Sequence, residues 1–396
     1  MCIRDRFTDG LDSQVVSWNA SATPRLLHLH GPVVPTADFA VQAATFVYGV
    51  YPPQGSVPMT RERMFVLDLK AAAIRSWPLG VGADDYITQV TGTPDGSRAI
   101  VSIEGLHSNR WQLWDLRRGV VLRTITSPPG ADNQLGLSAA LSADGATAVV
   151  AIDATRLGVV DLGSGRMTRT IHVHFTGAAG ARAHAVPWQF TPDGRVLLWG
   201  YDPGPSTSTR GAVPDQQLGL VDVGRGRLVA QADVGDIDSP KFFGWSHDGA
   251  TMVMGTYGGS LSTFATRTLR TLATATAVDT GFVLSASFSP DDRTIVAAGT
   301  DATMTFWTAA DLSRQGGREI APNATTSWWY AWFSPTGEVT GLAPQVAQPD
   351  VDAERLFTFP ARPSEWLALT CALAGQDLTR AQWAQYAGDQ PYRHVC

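Results

Sequence analysis

Apolar and polar residues alternate along this chain in short runs. Ile87–Thr91, Arg98–Ile103, Trp111–Asp115 and Val120–Ile125 each change character residue by residue and then stop at a turn. A period of two over five or six positions is the signature of a half-buried strand. The runs come in a repeating order: a short apolar strand, a turn resembling Ser-Pro-Asp-Gly, a second apolar strand and a variable loop. A third strand then ends in an aromatic or aliphatic residue plus Asp. The turns are Thr93-Pro94-Asp95-Gly96, Ser142-Ala143-Asp144-Gly145, Thr191-Pro192-Asp193-Gly194, Ser246-His247-Asp248-Gly249, Ser289-Pro290-Asp291-Asp292 and Ser334-Pro335-Thr336-Gly337. Their fourth positions follow one another at 49, 49, 55, 43 and 45 residues. The third strands end in step, at Asp68, Asp115, Asp161 and Asp222, then at the weaker Phe264-Ala265, Trp307-Thr308 and Phe357-Thr358.

Proline presets φ at the second turn position, and Asp and Gly accept the conformations that follow, so each turn closes a hairpin. Two such strands are too short to be stable alone. Four per repeat make a sheet with two apolar faces, which is buried by stacking sheets radially. The sequence therefore predicts an all-β fold, a seven-bladed β-propeller with a short C-terminal helical tail.

These residues resemble the WD-repeat family, whose third strand ends in Trp-Asp. Trp114-Asp115 is the one literal match, and the family's Gly-His pair is missing. The Asp before strand three is present at Asp12, Asp153 and Asp301. The resemblance spans roughly nine-tenths of the chain and implies the propeller fold, with nearly nothing about function. Asp68, Asp115, Asp161 and Asp222 invite a carboxylate-site reading, but their regular spacing makes them turn and strand-end hydrogen bonders instead.

The ends of the ring follow from counting. Asp12 to Trp18 repeats the offset from Asp301 to Trp307, which makes Val15–Trp18 a third strand and Arg25–Leu29 a fourth, with nothing before them. Leu356–Phe359 is a third strand with no fourth after it. Arg25–Leu29 supplies that outer strand and closes the ring, removing two exposed edges. The expected organisation is a remnant of an upstream blade over 1–24, the propeller over 25–360 and a helical tail over 361–396, within a longer protein.

The tail changes grammar. Ser364 is an N-cap, Trp366, Leu367 and Leu369 follow, and Gly375 stops a first helix. Thr379 with Gln382 forms a capping box that opens a second. Cys371, Gly375, Leu378-Thr379, Trp383, Tyr386, Pro391-Tyr392-Arg393 and Cys396 form a spaced set. It resembles the C-terminal signature of actinobacterial multidomain regulators that join an effector or transcriptional-activator domain to a STAND-type ATPase and then to WD repeats. That resemblance implies a sensor module. Cys371 and Cys396 are the candidate disulfide; two thiols in a reducing compartment are the alternative.

Composition narrows the chemistry. Net charge is −6 with no basic run, so nucleic acid is not an expected partner of this segment. No stretch reaches the roughly 18 apolar residues of a membrane helix, and no Gly-rich Lys-Ser/Thr phosphate loop occurs. The expected inner strands are Val41–Thr45, Ile87–Thr91, Leu137–Leu141, Val186–Phe190, Phe242–Trp245, Leu284–Phe288 and Trp329–Phe333. None contains Asp, Glu or His, which argues against a channel metal or a general acid. His172 and His174 face one way on a strand and have His184 near in sequence, so a transition-metal site is the alternative to solvated loop histidines, while His28 and His30 on the closing strand are expected to be structural. Ser164, in Gly163-Ser164-Gly165, lacks the longer nucleophile elbow. Trp328, Trp329 and Trp332 offer stacking or packing. No cofactor and no metal site is expected, and the chain reads as non-catalytic, the alternative being a propeller hydrolase or a small-ligand site in the channel.

Loop lengths indicate where a partner docks. The first-to-second turns are short and stereotyped. The second-to-third loops vary, and Gly49–Arg63, Gly105–Arg110, Tyr201–Gln217 and Ala343–Glu354 are long. They emerge on one face and carry Tyr51, Arg61, Arg63, His107, Asn109, Arg110, Tyr201 and Arg210. Tyr and Arg are favoured interface anchors, and variable loops on a rigid scaffold carry function. The expected partner is another protein or another domain of the same full-length chain.

Overall fold

A computed structural model of the chain describes most of residues 85–333, the strands flanking them at 40–80 and 338–360, a two-residue pair at 7–8 and 12–13, and residues 379–380. Among the described residues, six four-stranded antiparallel sheets and one three-stranded sheet follow one another along the chain. The first is Ala40–Gln42, Thr45–Val50, Arg63–Asp68 and Ala73–Pro78; the second is Asp85–Gly92, Arg98–Gly105, Arg110–Asp115 and Val120–Thr126. The third runs from Ala139 to His172, the fourth from His184 to Gly235, the fifth from Pro240 to Thr276 and the sixth from Val283 to Glu319. The seventh holds Tyr330–Phe333, Glu338–Ala343 and Arg355–Pro360. Each sheet is a simple meander, and in most neighbouring sheets the first strands touch, which places them innermost. This is the predicted β-propeller architecture.

The core is a series of layers between sheets, because each sheet buries both faces. Trp111, Ile100 and Leu113 of the second sheet pack on Ala139, Val150 and Val160 of the third. Val159 and Ile171 of the third meet Val196 and Val221 of the fourth, with Phe175 between them. Phe264 and Met252 of the fifth sheet pack on Leu197 and Leu220 of the fourth. Truncating Ile100, Leu113, Leu197 or Met252 to Ala would cost about 2–5 kcal/mol.

The turns have the predicted chemistry. In five sheets the turn hydroxyl donates to the Asp two residues on at 2.6 Å, in Thr93–Asp95, Ser142–Asp144, Thr191–Asp193, Ser246–Asp248 and Ser289–Asp291. The same hydroxyl accepts the N–H that opens the second strand, from Arg98, Thr147, Arg195, Thr251 and Thr294. The fourth position is left-handed, with φ of 62° at Gly96 and 56° at Asp292. Asp tolerates that region better than most side chains, so the one departure from Gly is accommodated.

Two expectations are corrected. The inner strands of the second and fourth sheets extend further than read, pairing Asp85 with Gly105 and His184 with Tyr201, so they begin with an acid and a histidine. In the third sheet the strand is shorter, Ala139–Leu141. Near the start, Asp12–Ser13 is itself a strand, paired with Phe7–Thr8, where a lone pre-strand turn residue was expected. Val15–Trp18, Arg25–Leu29 with His28 and His30, and the tail apart from Thr379 and Arg380 lie outside the described residues.

Candidate interaction faces

The two ends of the sheets are distinguished by backbone hydrogen bonds. At one end the first-to-second turn accepts from the third-to-fourth turn, as in Leu116 to Ser97, Leu162 to Ala146, Thr266 to Ala250 and Ala309 to Arg293. At the other end the second-to-third loop meets the connection to the next sheet, as in Val173 to Thr155, Ala185 to Ala154 and Ala277 to Gly259. The first is a face of short, mutually bonded turns. The second is the face of the long loops, which the strand ends bound at 51–62, 106–109, 202–215 and 344–354.

The structural aspartates cap the third-to-fourth turn. Asp115 accepts the N–H groups of Arg117 and Arg118, Asp161 the N–H and hydroxyl of Ser164, and Asp222 the N–H and guanidinium of Arg225. The Ser164 hydroxyl holds the Asp161 carboxyl below its ordinary range, and the Arg225 N–H does the same for Asp222. Ser164 is thereby a turn donor. Asp68 ends its strand opposite Thr45 and Ala73. Asp153 and Asp301 accept the N–H groups of Thr155 and Thr303, which opens their third strands as the resemblance implied.

The sequence did not reveal the last position of these turns, where the backbone is again left-handed. Glycine fills it at Gly119, Gly165 and Gly226 (φ 66°, 72° and 66°), but Leu269 and Leu312 occupy it at 57° and 53°. Both leucines are buried, so packing offsets a strain of about 1–2 kcal/mol. The readable signal was an Asp followed four residues later by Gly.

On the loop face, Tyr51, Arg61, His107 and Arg210 lie outside the described residues, while Arg63 opens a strand and Tyr201 ends one. Two of the predicted anchors hold other positions. Asn109 is 3% exposed and its side chain accepts the Gly105 N–H. Arg110 forms a half-buried ion pair with Asp85, Nη2 to Oδ2 2.6 Å. Both brace the end of the second sheet. Missed by the sequence reading is Tyr257, exposed on this face, its ring edge-on to Phe282 at 4.6 Å.

The remaining candidates have structural surroundings. His172 and His174 point to solvent while Ile171, Val173 and Phe175, which alternate with them, are buried. Among the described residues no group of three His, Cys, Asp or Glu is placed to hold a metal ion, and no helix is long and apolar enough to cross a membrane. Trp332 is buried, and Trp328, Trp329, Cys371 and Cys396 lie outside the described residues. Inner-strand polar groups engage the next sheet: Gln89 accepts the Ala139 N–H at 2.7 Å and Ser285, four residues before its turn as Gln89 is, accepts the Ala331 N–H at 2.8 Å.

Repeated four-stranded meanders with innermost first strands define a β-propeller. The chain is similar to one in the crystal structure of a mitotic checkpoint complex, with a TM-score of 0.59 and 13% identity over 90% of this chain and 99% of that one. It resembles 1740 chains of solved structures in all, a breadth that fixes a fold and singles out no activity. No protein-family model matches the sequence, and no curated protein is significantly similar to it.

Proposed function

We propose that this chain is a non-catalytic protein-interaction platform, acting as the sensor end of a bacterial multidomain signalling protein. The observation that carries the reading is the contrast between the faces: one is closed by short turns bonded to each other, the other displays loops of up to fourteen residues, at 202–215, from the same rigid sheets. The similarity to a chain of a multiprotein complex supports a protein partner, and the spaced tail set from Cys371 to Cys396 supports a STAND-type ATPase upstream. Arg61, Arg63, Tyr51 and Arg210 remain the proposed anchors.

The test uses the full-length protein in its host, with a photo-crosslinking residue at position 61, 63 or 146. Crosslinks from 61 and 63 to one protein or to an upstream domain, with none from 146 on the turn face, are expected. Crosslinks only from 146, or from none of the three, overturn the reading.

A further inference from the structure

The first-to-second turn of the fourth sheet is one residue shorter than its counterparts. Gly92 pairs with Ala99, Leu141 with Ala148 and Trp245 with Met252, each pair enclosing six residues. Phe190 pairs with Val196 and encloses five. The missing residue is the one after the turn glycine, which is Ser97, Ala146 or Ala250 in the other three. In its place stands Arg195, the counterpart of Arg98, with its N–H on the Thr191 hydroxyl. The missing residue has two duties elsewhere. Its N–H donates to the turn carboxylate, at 3.0 Å to Asp95, 2.9 Å to Asp144 and 2.8 Å to Asp248. Its carbonyl accepts the N–H of the third-to-fourth turn, from Leu116, Leu162 and Thr266.

The turn at Asp193 lacks both ties. Among the described residues, the Asp193 carboxylate accepts the Thr191 hydroxyl at 2.6 Å and meets Arg195 Nη1 at 3.5 Å, and no backbone N–H reaches it. That ion pair is partly exposed and holds the turn only weakly. The glycine differs as well. Gly96 and Gly145 are buried, and Arg98 covers Gly145, its Nη1 donating to the Gly145 carbonyl at 2.9 Å. Asp292 pins the Asp248-Gly249 turn by accepting the N–H groups of His247 and Asp248 at 2.7 and 3.0 Å. Gly194 is exposed, and a Cβ placed on it would meet nothing within 4 Å.

All four turns contain Asp-Gly, in which the missing Cβ of glycine leaves its nitrogen free to reach the Asp side chain. In that reaction the Gly nitrogen bonds to Cγ of the protonated carboxyl. The carboxyl hydroxyl leaves as water with the nitrogen's proton, and a succinimide ring closes. Water then opens the ring at the carbonyl next to Cα, so the chain runs through Cγ and the α-carboxyl is free. One water is lost and one is taken up. The backbone must rotate for the ring to close, so the reaction follows local opening of the turn.

We propose that Asp193 is the position at which this chain converts to isoaspartate, and so a modification site for carboxyl methyltransferases that take the freed α-carboxyl. Two hydrogen bonds fewer should make opening, and hence conversion, about tenfold more frequent than at Asp95, Asp144 or Asp248. The site lies on the turn face and stands independently of docking at the long loops.

The test holds the whole folded chain at neutral pH for weeks and maps isoaspartate by peptide fragmentation. Methyl transfer from labelled S-adenosylmethionine by an isoaspartyl methyltransferase gives a second readout. Conversion at Asp193 about tenfold above the other three is expected. In guanidinium chloride the turns are gone and the four rates should converge. Serine inserted between Gly194 and Arg195 restores the missing residue and should bring Asp193 down to the others. If that variant does not fold, the folded and unfolded chains decide the matter between them. Equal conversion of the four in the folded chain, an excess at Asp193 that persists in denaturant, or an excess unaltered by the insertion overturns the proposal.

Discussion

Arg123, on the outer strand of the second sheet, lies across Gly165 in the third-to-fourth turn of the third. Its Nη2 donates to the Gly163 carbonyl at 2.7 Å, and a Cβ at Gly165 would fall 2.4 Å from its Cδ. One sheet further on, Arg169 repeats this contact, donating to the carbonyls of Val223 and Gly224 at 3.0 and 2.6 Å. The two arginines latch successive sheets at their outer rim. Replacing either by Ala is expected to cost about 1 kcal/mol, since one charged donor bonded to backbone near solvent contributes on that order. Arg166→Ala, on the same rim, should be near neutral, and urea unfolding of the three variants separates latch from surface charge. Equal losses for all three would sink the latch.

Glycines of the third-to-fourth turns differ in what surrounds them. A Cβ at Gly119 would meet the Trp77 indole at 1.5 Å, a bulky ring, whereas Gly165 faces the flexible end of Arg123. Both sit at positive φ, so Ala carries a backbone strain of about 1 kcal/mol at each. Gly119→Ala should cost at least 1 kcal/mol more than Gly165→Ala, because a ring must be displaced. Melting curves of the pair are sufficient, and a reversed order would refute the contact.

Leu269 presents the opposite balance. Leu269→Gly removes the strain of its 57° φ but also deletes a buried side chain, 1% accessible, and leaves a cavity. Loss of burial, about 2–5 kcal/mol, outweighs relief, so the variant should be less stable by about 2 kcal/mol. Stabilisation would mean that the left-handed backbone dominates.

Acid should weaken the molecule through its turns. Asp144, Asp248 and Asp291 are held below the ordinary carboxylate value of 3.8, first of all by the hydroxyls of Ser142, Ser246 and Ser289. A lowered folded-state value means that their contribution is complete above pH 4 and is lost as pH falls through the folded values. Unfolding free energy should therefore be flat in this respect near neutrality and drop below pH 4. Ser142→Ala, Ser246→Ala and Ser289→Ala combined should flatten that drop, and an unchanged slope would assign acid sensitivity elsewhere.

Ring closure by residues 25–29 is our proposal for the seventh sheet, whose described strands number three. Removing residues 1–24 should leave stability nearly unchanged, and removing 1–30 should bring aggregation by exposing an edge. Light scattering on the two truncations distinguishes them; identical behaviour would reject the closure.

Much of the fold was legible because its turns are local. A hydroxyl, an Asp and a left-handed residue within six positions report their own conformation, and Thr93 to Arg98 could be read as it stands. The long-loop boundaries followed from the strands on either side. Residues whose role is set by a distant partner were not legible. Arg110 looked like a free anchor until Asp85, 25 residues earlier, proved to be its partner. Asn109 folds back on Gly105, and Tyr257 gained meaning only beside Phe282.

The closed bonding of each turn has a consequence for how such a chain changes over time. Within one sheet the hydroxyl–Asp pair meets its needs from its own six residues, so a sheet duplicated or exchanged as a unit carries a working turn with it. The side chains that cross to the next sheet, Arg98, Arg123, Arg169 and Asp292, enjoy no such independence. Each must be matched to the neighbour it lands on. Whole sheets are thus the cheap currency of rearrangement, and divergence is read in the seams.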